Sequence, residues 1–204
     1  MHKEILSEQQ LEFFPFLKKF GNEFGLVGGT AVALYLGHRR SIDYDLFSEK
    51  DFKNISLERD IREMVEIERV LVNRGGELTF VSRGVKITFF QYPFNIVFKN
   101  DFEGLIRVPE LLTLAAMKAF AIGKRAKWKD YVDLYFLLRD HYSLKDISLR
   151  SKEIFGSEFN EKIFRTQLSY FDDINYDEEV EFMPGFSVDM EEIKSELIRL
   201  SLSE

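Results

Sequence analysis

Asp43 and Asp45 stand two residues apart in a stretch that alternates Ile, Asp, Tyr, Asp, Leu over residues 42–46. That alternation is the period of a β-strand, so both carboxylates are expected on one face of it. Two neighbouring carboxylates repel each other unless a cation lies between them. Mg²⁺, or Mn²⁺ in its place, is the natural guest, because it takes oxygen ligands and shares them with substrate phosphates. Such ions stabilise the attacking and leaving oxygens of a phosphoryl-type displacement.

Upstream, Gly28-Gly29 follows the apolar residues 24–27 and precedes a helical pattern over residues 30–36, which Gly37 ends. Glycines at a strand-to-helix junction let a phosphate approach the backbone. The helix N-terminus attracts the phosphate charge. Thr30, Arg39 and Ser41 supply further donors for phosphate oxygens. Thirteen residues, 30 to 42, separate Gly29 from Asp43, enough for one helix and a return to a neighbouring strand. Taken singly, a Gly-Gly pair is a turn, a D-x-D a solvated strand face and Arg39-Arg40 surface charge. Their combination points to a nucleotide-phosphate site with a bound metal.

A second group lies in the C-terminal half. Lys118 and Asp133 each sit in a helical stretch that is apolar nearly all round, which predicts burial. A lone buried charge is costly. The two must therefore either pair across packed helices or reach a wet site. Asp130 shares a helix face with Asp133 at i, i+3 and is a second candidate. Lys124, Arg125, Lys127 and Lys129 surround Trp128. They form either a solvated loop over a core tryptophan or a patch for an RNA acceptor.

These residues need elements to hold them. An amphipathic helix is expected over residues 7–20, with Pro15 as an irregularity, and strands over 24–27 and 42–47. A charged helix follows over 50–66, then a meander over 67–72, 77–82 and 85–91 with turns at Arg74-Gly75-Gly76 and Arg83-Gly84. After Pro109 the pattern is helical, over 110–122, 128–139, 144–155 and 157–171. An acidic loop spans 173–184, and a last helix over 189–202 is capped by Asp189. The fold class is α+β: a mixed sheet flanked by helices over residues 1–107, then a helical half over 108–204 that completes the cleft.

The chain has 204 residues, 45% of them hydrophobic, a net charge of −7 and no cysteine. It can bury a sizeable core. It lacks a general basic coat for nucleic acid and any disulfide framework. No signal peptide or membrane-length apolar run is visible, so a cytoplasmic protein is expected.

The stretch VGGTAVALYLGHRRSIDYDLF resembles the first motif of the DNA polymerase β-like nucleotidyltransferase superfamily, and most closely that of the abortive-infection (AbiEii/AbiGii) toxins. Residues 108–138, VPELLTLAAMKAFAIGKRAKWKDYVDLYFLL, resemble that family's second block. The resemblance implies a nucleotidyltransferase-type sheet and transfer of an NMP from an NTP to an RNA, a protein or a small molecule. It also implies a toxin–antitoxin setting with an antitoxin partner. By resemblance Lys118 binds the triphosphate, and Asp133 orients that lysine or helps to activate the acceptor. The wider superfamily carries a third carboxylate on a later strand. In VKITFF (residues 85–90) no acid is present: Thr88 stands where it is expected, and Glu77 is one strand away. That gap motivates an alternative, a catalytically degenerate module that binds nucleotide or a partner. Nucleotidylation of a cationic antibiotic is a third reading, suited to the negative net charge but not to the second block.

Overall fold

The computed structural model describes residues 1–203. Strand β1 (Gly25–Val27) runs directly into helix α3 (Gly28–Leu36), which Gly37 closes in the left-handed conformation (φ +69°). The chain returns as strand β2 (Tyr44–Ser48), antiparallel to β1, with Val27 opposite Asp45. Before this unit, helices α1 (Glu8–Leu11) and α2 (Phe14–Phe20) replace the single helix expected over residues 7–20. Pro15 causes the break. It lies in the first turn of α2, where its missing N–H costs nothing, and it cannot continue α1.

Helix α4 (Asn54–Arg62) is shorter than the residues 50–66 expected. Strands β3 (Arg69–Arg74), β4 (Glu77–Ser82) and β5 (Val85–Gln91) form the meander, with β3 shifted two residues later than expected. Two short strands, β6 (Asn100–Phe102) and β7 (Ile106–Val108), were not anticipated, because three residues are too few to show an alternation. β7 pairs in parallel with β1, and the seven-stranded sheet has the order β3-β4-β5-β2-β1-β7-β6.

Strands β2 and β5 are parallel neighbours, each buried at alternate residues. Their Tyr44, Leu46, Ile87 and Phe89 face the core. Phe89 is its aromatic hub: its ring lies 4.8 Å from Phe24, 5.2 Å from Phe20 and 6.0 Å from Phe16, all edge-on. The opposite face carries Asp45 and Phe47 on β2 beside Thr88 and Phe90 on β5. Across that face lie helices α5 (Leu111–Ile122) and α6 (Trp128–Asp140), which pack against each other and on α3. One hydrophobic core takes in Ile106 and Val108 of β7 together with residues of both helices.

Helix α7 (Leu144–Phe155), capped by Ser143, packs on α5. The helix expected over 157–171 is confined to α8 (Glu161–Leu168), started by Asn160. Helix α9 (Met190–Ser201) begins at the Asp189 cap. Among the described residues no helix is long and apolar enough to cross a membrane. Truncating the hub, Phe89→Ala, is expected to cost about 3–5 kcal/mol in urea-induced unfolding.

Candidate active site

The cleft between the sheet and helices α5 and α6 has a volume of about 410 Å³ and contains Gly29, Arg39, Ser41, Asp43, Asp45, Lys118 and Asp130 in its lining. Gly28 has φ +72°, a conformation that suits glycine. A Cβ there would collide with the Asp45 carboxylate. A Cβ at Gly29 would lie 2.6 Å from the guanidinium of Arg39. The two glycines therefore let the first turn of α3 sit against Asp45 on one side and Arg39 on the other. The space left by the missing side chains is thus taken by Asp45 and Arg39, and Gly29 also lines the cleft at the positive end of a nine-residue helix.

Thr30 plays a different part from the one expected. Its side chain is buried, with its hydroxyl 2.9 Å from Ser41 Oγ and against the Asp43 carbonyl. It ties α3 to the loop that carries both residues. Ser41, which lines the cleft, is the hydroxyl left facing it.

Asp43 lies one residue before β2 rather than inside it. The β2–β5 register places Asp45 opposite Thr88 and Phe47 opposite Phe90. One rung earlier, the Asp43 carboxylate accepts from the ammonium of Lys86 at 2.5 Å. Asp45 has no ion pair among the described residues. Burial, with Asp43 beside it, pushes its carboxyl above the usual range. Thr88 is occupied by Thr79, hydroxyl to hydroxyl at 3.3 Å. Glu77 lines the cleft from β4, but its carboxylate is held by Arg74 at 2.8 Å. Among the described residues no group of three or more His, Cys, Asp or Glu is placed to hold a metal.

The charges of the second block converge. Asp133 is fully buried and accepts from Arg39 Nε at 2.7 Å, Arg39 Nη2 at 2.9 Å and His38 Nε2 at 2.8 Å. Lys118 lies 2.7 Å from Asp133 and 2.5 Å from Asp130, and Arg125 reaches Asp130 at 3.3 Å. Burial alone would raise the Asp133 carboxyl, but Arg39 and Lys118 outweigh it and hold it well below the usual range. Burial likewise acts to lower Lys118, and Asp130 and Asp133 reverse that and raise it. His38 is pushed down by burial against the pull of Asp133, so its ring is neutral at pH 7 and donates through Nε2. The guanidinium expected to clamp phosphate is thus committed to Asp133, although Arg39 still borders the cleft. Asp133 has no surface in the cleft; it positions Arg39 and Lys118, and the pairing across packed helices coexists with a Lys118 that lines the cleft.

The basic residues around Trp128 are not free. Lys127 and Lys129 lie 2.8 Å and 3.4 Å from Glu178, and Lys124 lies 3.5 Å from Glu158. The bond from Lys127 pulls the Glu178 carboxyl down to about 2. Glu178 belongs to the acidic segment 173–184, a strap laced to both walls. Asn175 exchanges backbone bonds with Ala126 and Trp128, and Met183 and Arg40 bond across to His38 and Glu181. The sequence alone assigns no site role to Lys86, Glu178 or His38, which it shows only as part of the basic triplet 38–40. Lys86 alone carried a legible signal, since it alternates with Thr88 on one strand face.

The sheet, with a helix starting at a Gly-Gly pair and carboxylates just before and on the next strand, defines a nucleotidyltransferase fold. Its backbone is similar to the MenT4 nucleotidyltransferase toxin of Mycobacterium tuberculosis (TM-score 0.60, 13% identity, covering 95% of this chain and 81% of that one). It is also similar to JHP933 of Helicobacter pylori (TM-score 0.56, 21% identity, covering 96% and 91%). The profile of the family described as "Nucleotidyl transferase AbiEii toxin, Type IV TA system" matches residues 16–202, and the chain belongs to that family. A protein of Aquifex aeolicus (strain VF5), described as uncharacterized, is 34% identical over 177 residues, 82% of this chain and 84% of its own length.

Two substitutions at this site should move stability in opposite directions. Asp133 has a depressed folded-state pKa, so its stabilisation is present above the unfolded carboxylate range and is lost as pH falls. Asp133→Asn leaves the buried Arg39 without its carboxylate and Lys118 with Asp130 alone, and is expected to cost about 3–5 kcal/mol at pH 7, with a flatter acid limb. Asp45 has a raised folded-state pKa, so its charge costs stability above that pKa and the cost is relieved as pH falls. Asp45→Asn is expected to raise Tm at pH 7 by about 2–4 °C, as for ~1 kcal/mol in a domain of this size. Thermal unfolding of both variants across pH 4–8 (roughly the carboxylate-to-neutral window) checks both signs.

Proposed function

We propose that the chain transfers an NMP from an NTP to an acceptor hydroxyl and is the toxin of a two-component toxin–antitoxin system. The observation that supports this reading best is Asp45, a carboxylate without an ion pair, set against Gly28 at the start of α3 in a cleft also lined by Lys118. Spending stability on an unpaired carboxylate beside a phosphate-binding helix end has a purpose only if a cation and a phosphate arrive together.

The donor set fits one hard cation bound jointly with a nucleotide. Asp43 and Asp45 supply carboxylate oxygens, and phosphate oxygens and water complete the ligands Mg²⁺ requires. When bound there, Mg²⁺ or Mn²⁺ would polarise the α-phosphate. The chain's own groups do the rest. The first turn of α3 and Ser41 hold the β- and γ-phosphates. Lys118, fixed by Asp130 and Asp133, neutralises charge that grows on the leaving pyrophosphate. The oxygen of the acceptor hydroxyl attacks the α-phosphorus as its proton passes to solvent, the bond to the α–β bridging oxygen breaks, and pyrophosphate leaves with that electron pair.

RNA, a protein and a small molecule remain the acceptor classes. An RNA acceptor would have to replace Glu178 on Lys127 and Lys129, because the strap already neutralises that rim. The alternative, a nucleotide-binding module without turnover, is favoured by one observation: Thr88 stands opposite Asp45 in place of an acid.

Labelled NTPs incubated with the protein, Mg²⁺ and total tRNA, or with the protein alone, should give label transfer. In Asp45→Asn transfer is expected to fall by about 10³-fold or more while the fold is kept. Tight NTP binding without transfer to any acceptor supports the non-catalytic module instead.

A further inference from the structure

Lys86 is the one charged side chain from the sheet floor that contacts the carboxylate pair. It stands on β5 two residues before Thr88, on the same strand face. Extending the β2–β5 register by one rung places it opposite Asp43. The cleft floor is therefore a ladder of Asp43 with Lys86, Asp45 with Thr88, and Phe47 with Phe90. The ammonium is 2.5 Å from Asp43 Oδ2, and both side chains are about two-thirds covered (33% and 27% exposed). A lysine rising from a central strand has less freedom to swing away than one on a loop.

Two cations held without a nucleotide would need more oxygen than this chain offers, whereas the phosphates of a bound nucleotide would supply the remainder. No trio of acid or imidazole ligands is present among the described residues. The rung where a third carboxylate would stand holds Thr88, already bonded to Thr79. One positive charge is nevertheless built in at the carboxylate pair.

We propose that Lys86 occupies one of the two cation positions at Asp43 and Asp45, so that the site takes a single exchangeable divalent ion. The ammonium offsets one carboxylate permanently, leaving Asp45 and one oxygen of Asp43 to share an incoming ion with the nucleotide. The purpose of that ion rests on the nucleotidyl-transfer reading; the position of Lys86 does not.

Mn²⁺ titration of the full-length protein, followed by the loss of the free-ion electron paramagnetic resonance signal, tests this without nucleotide or turnover. Lys86→Met is expected to bind Mn²⁺ at least about tenfold more tightly than wild type, because a contacting positive charge is gone. Lys86→Arg, which keeps the charge, should match wild type, and adding Asp43→Asn to Lys86→Met should abolish the gain. Lys86→Gln repeats the test if the methionine variant does not fold. With one equivalent of a non-hydrolysable NTP analogue, wild type should bind one fewer Mn²⁺ per complex than Lys86→Met. Equal Mn²⁺ affinity in wild type and both neutral variants overturns the proposal, as does an equal count in the analogue complexes. Absence of nucleotidyl transfer, by contrast, would overturn the proposed function and leave this titration decisive for Lys86.

Discussion

The carboxylate of Asp133 is the constraint on which the site depends. It is fully buried on α6, yet it binds His38 and Arg39 from the loop after α3 and Lys118 from α5. Three separate segments therefore have to meet at one point before the charge is compensated. A buried pair contributes little net stability compared with apolar packing, but a missing partner is heavily penalised. That asymmetry favours the arrangement in which α5 and α6 close over the sheet with Lys118 at the cleft wall. The orientation of the helical half is thus fixed by the same group that aims the lysine.

The cleft floor shows the opposite economy. Asp133 is over-supplied with cations, whereas Asp45, on the adjoining sheet face, has no ion pair among the described residues. The protein holds its positive charge one layer behind the surface that would meet a phosphate. Arg39 lies against Gly29 but is committed to Asp133, and Lys118 is shared by two aspartates. Cations held in this way are pre-oriented, and they need not reorganise when charge develops in front of them. The strap repeats the device at the mouth, where Glu178 takes up Lys127 and Lys129.

Much of this could be read from the residues. Gly28-Gly29 and the D-x-D spacing point to the α3–β2 unit because the thirteen residues between them fit one helix and a return to a neighbouring strand. Lys118 and Asp133 were visible as charges in helices that otherwise had to be buried. The bond from Arg39 to Asp133 was not visible, because a pairing across 94 positions leaves no periodicity. For the same reason the sequence alone presents Thr30 and Arg39 as ligand donors: residue type shows what a side chain can donate, not whether a neighbour has already accepted it. The short strands β6 and β7, and the docking of the acidic loop as a strap, leave no side-chain pattern because backbone bonds form them.

The floor ladder explains how one sheet face can serve two chemistries. From the Asp43–Lys86 rung it passes through Asp45 and Thr88 to the rings of Phe47 and Phe90, 5.2 Å apart. Beyond them an apolar recess of about 350 Å³ opens between Tyr92, Phe94, Met117 and Phe120, still bordered by Asp45 and Lys118. The period of two that puts alternate residues on one face makes this gradient unavoidable once the register is set. Slipping β5 by one residue would turn Lys86, Thr88 and Phe90 into the core and bring Ile87 and Phe89 into the cleft. The aromatic hub around Phe89 resists that slip, so packing on the hidden face of the sheet maintains the order of charges on the exposed one.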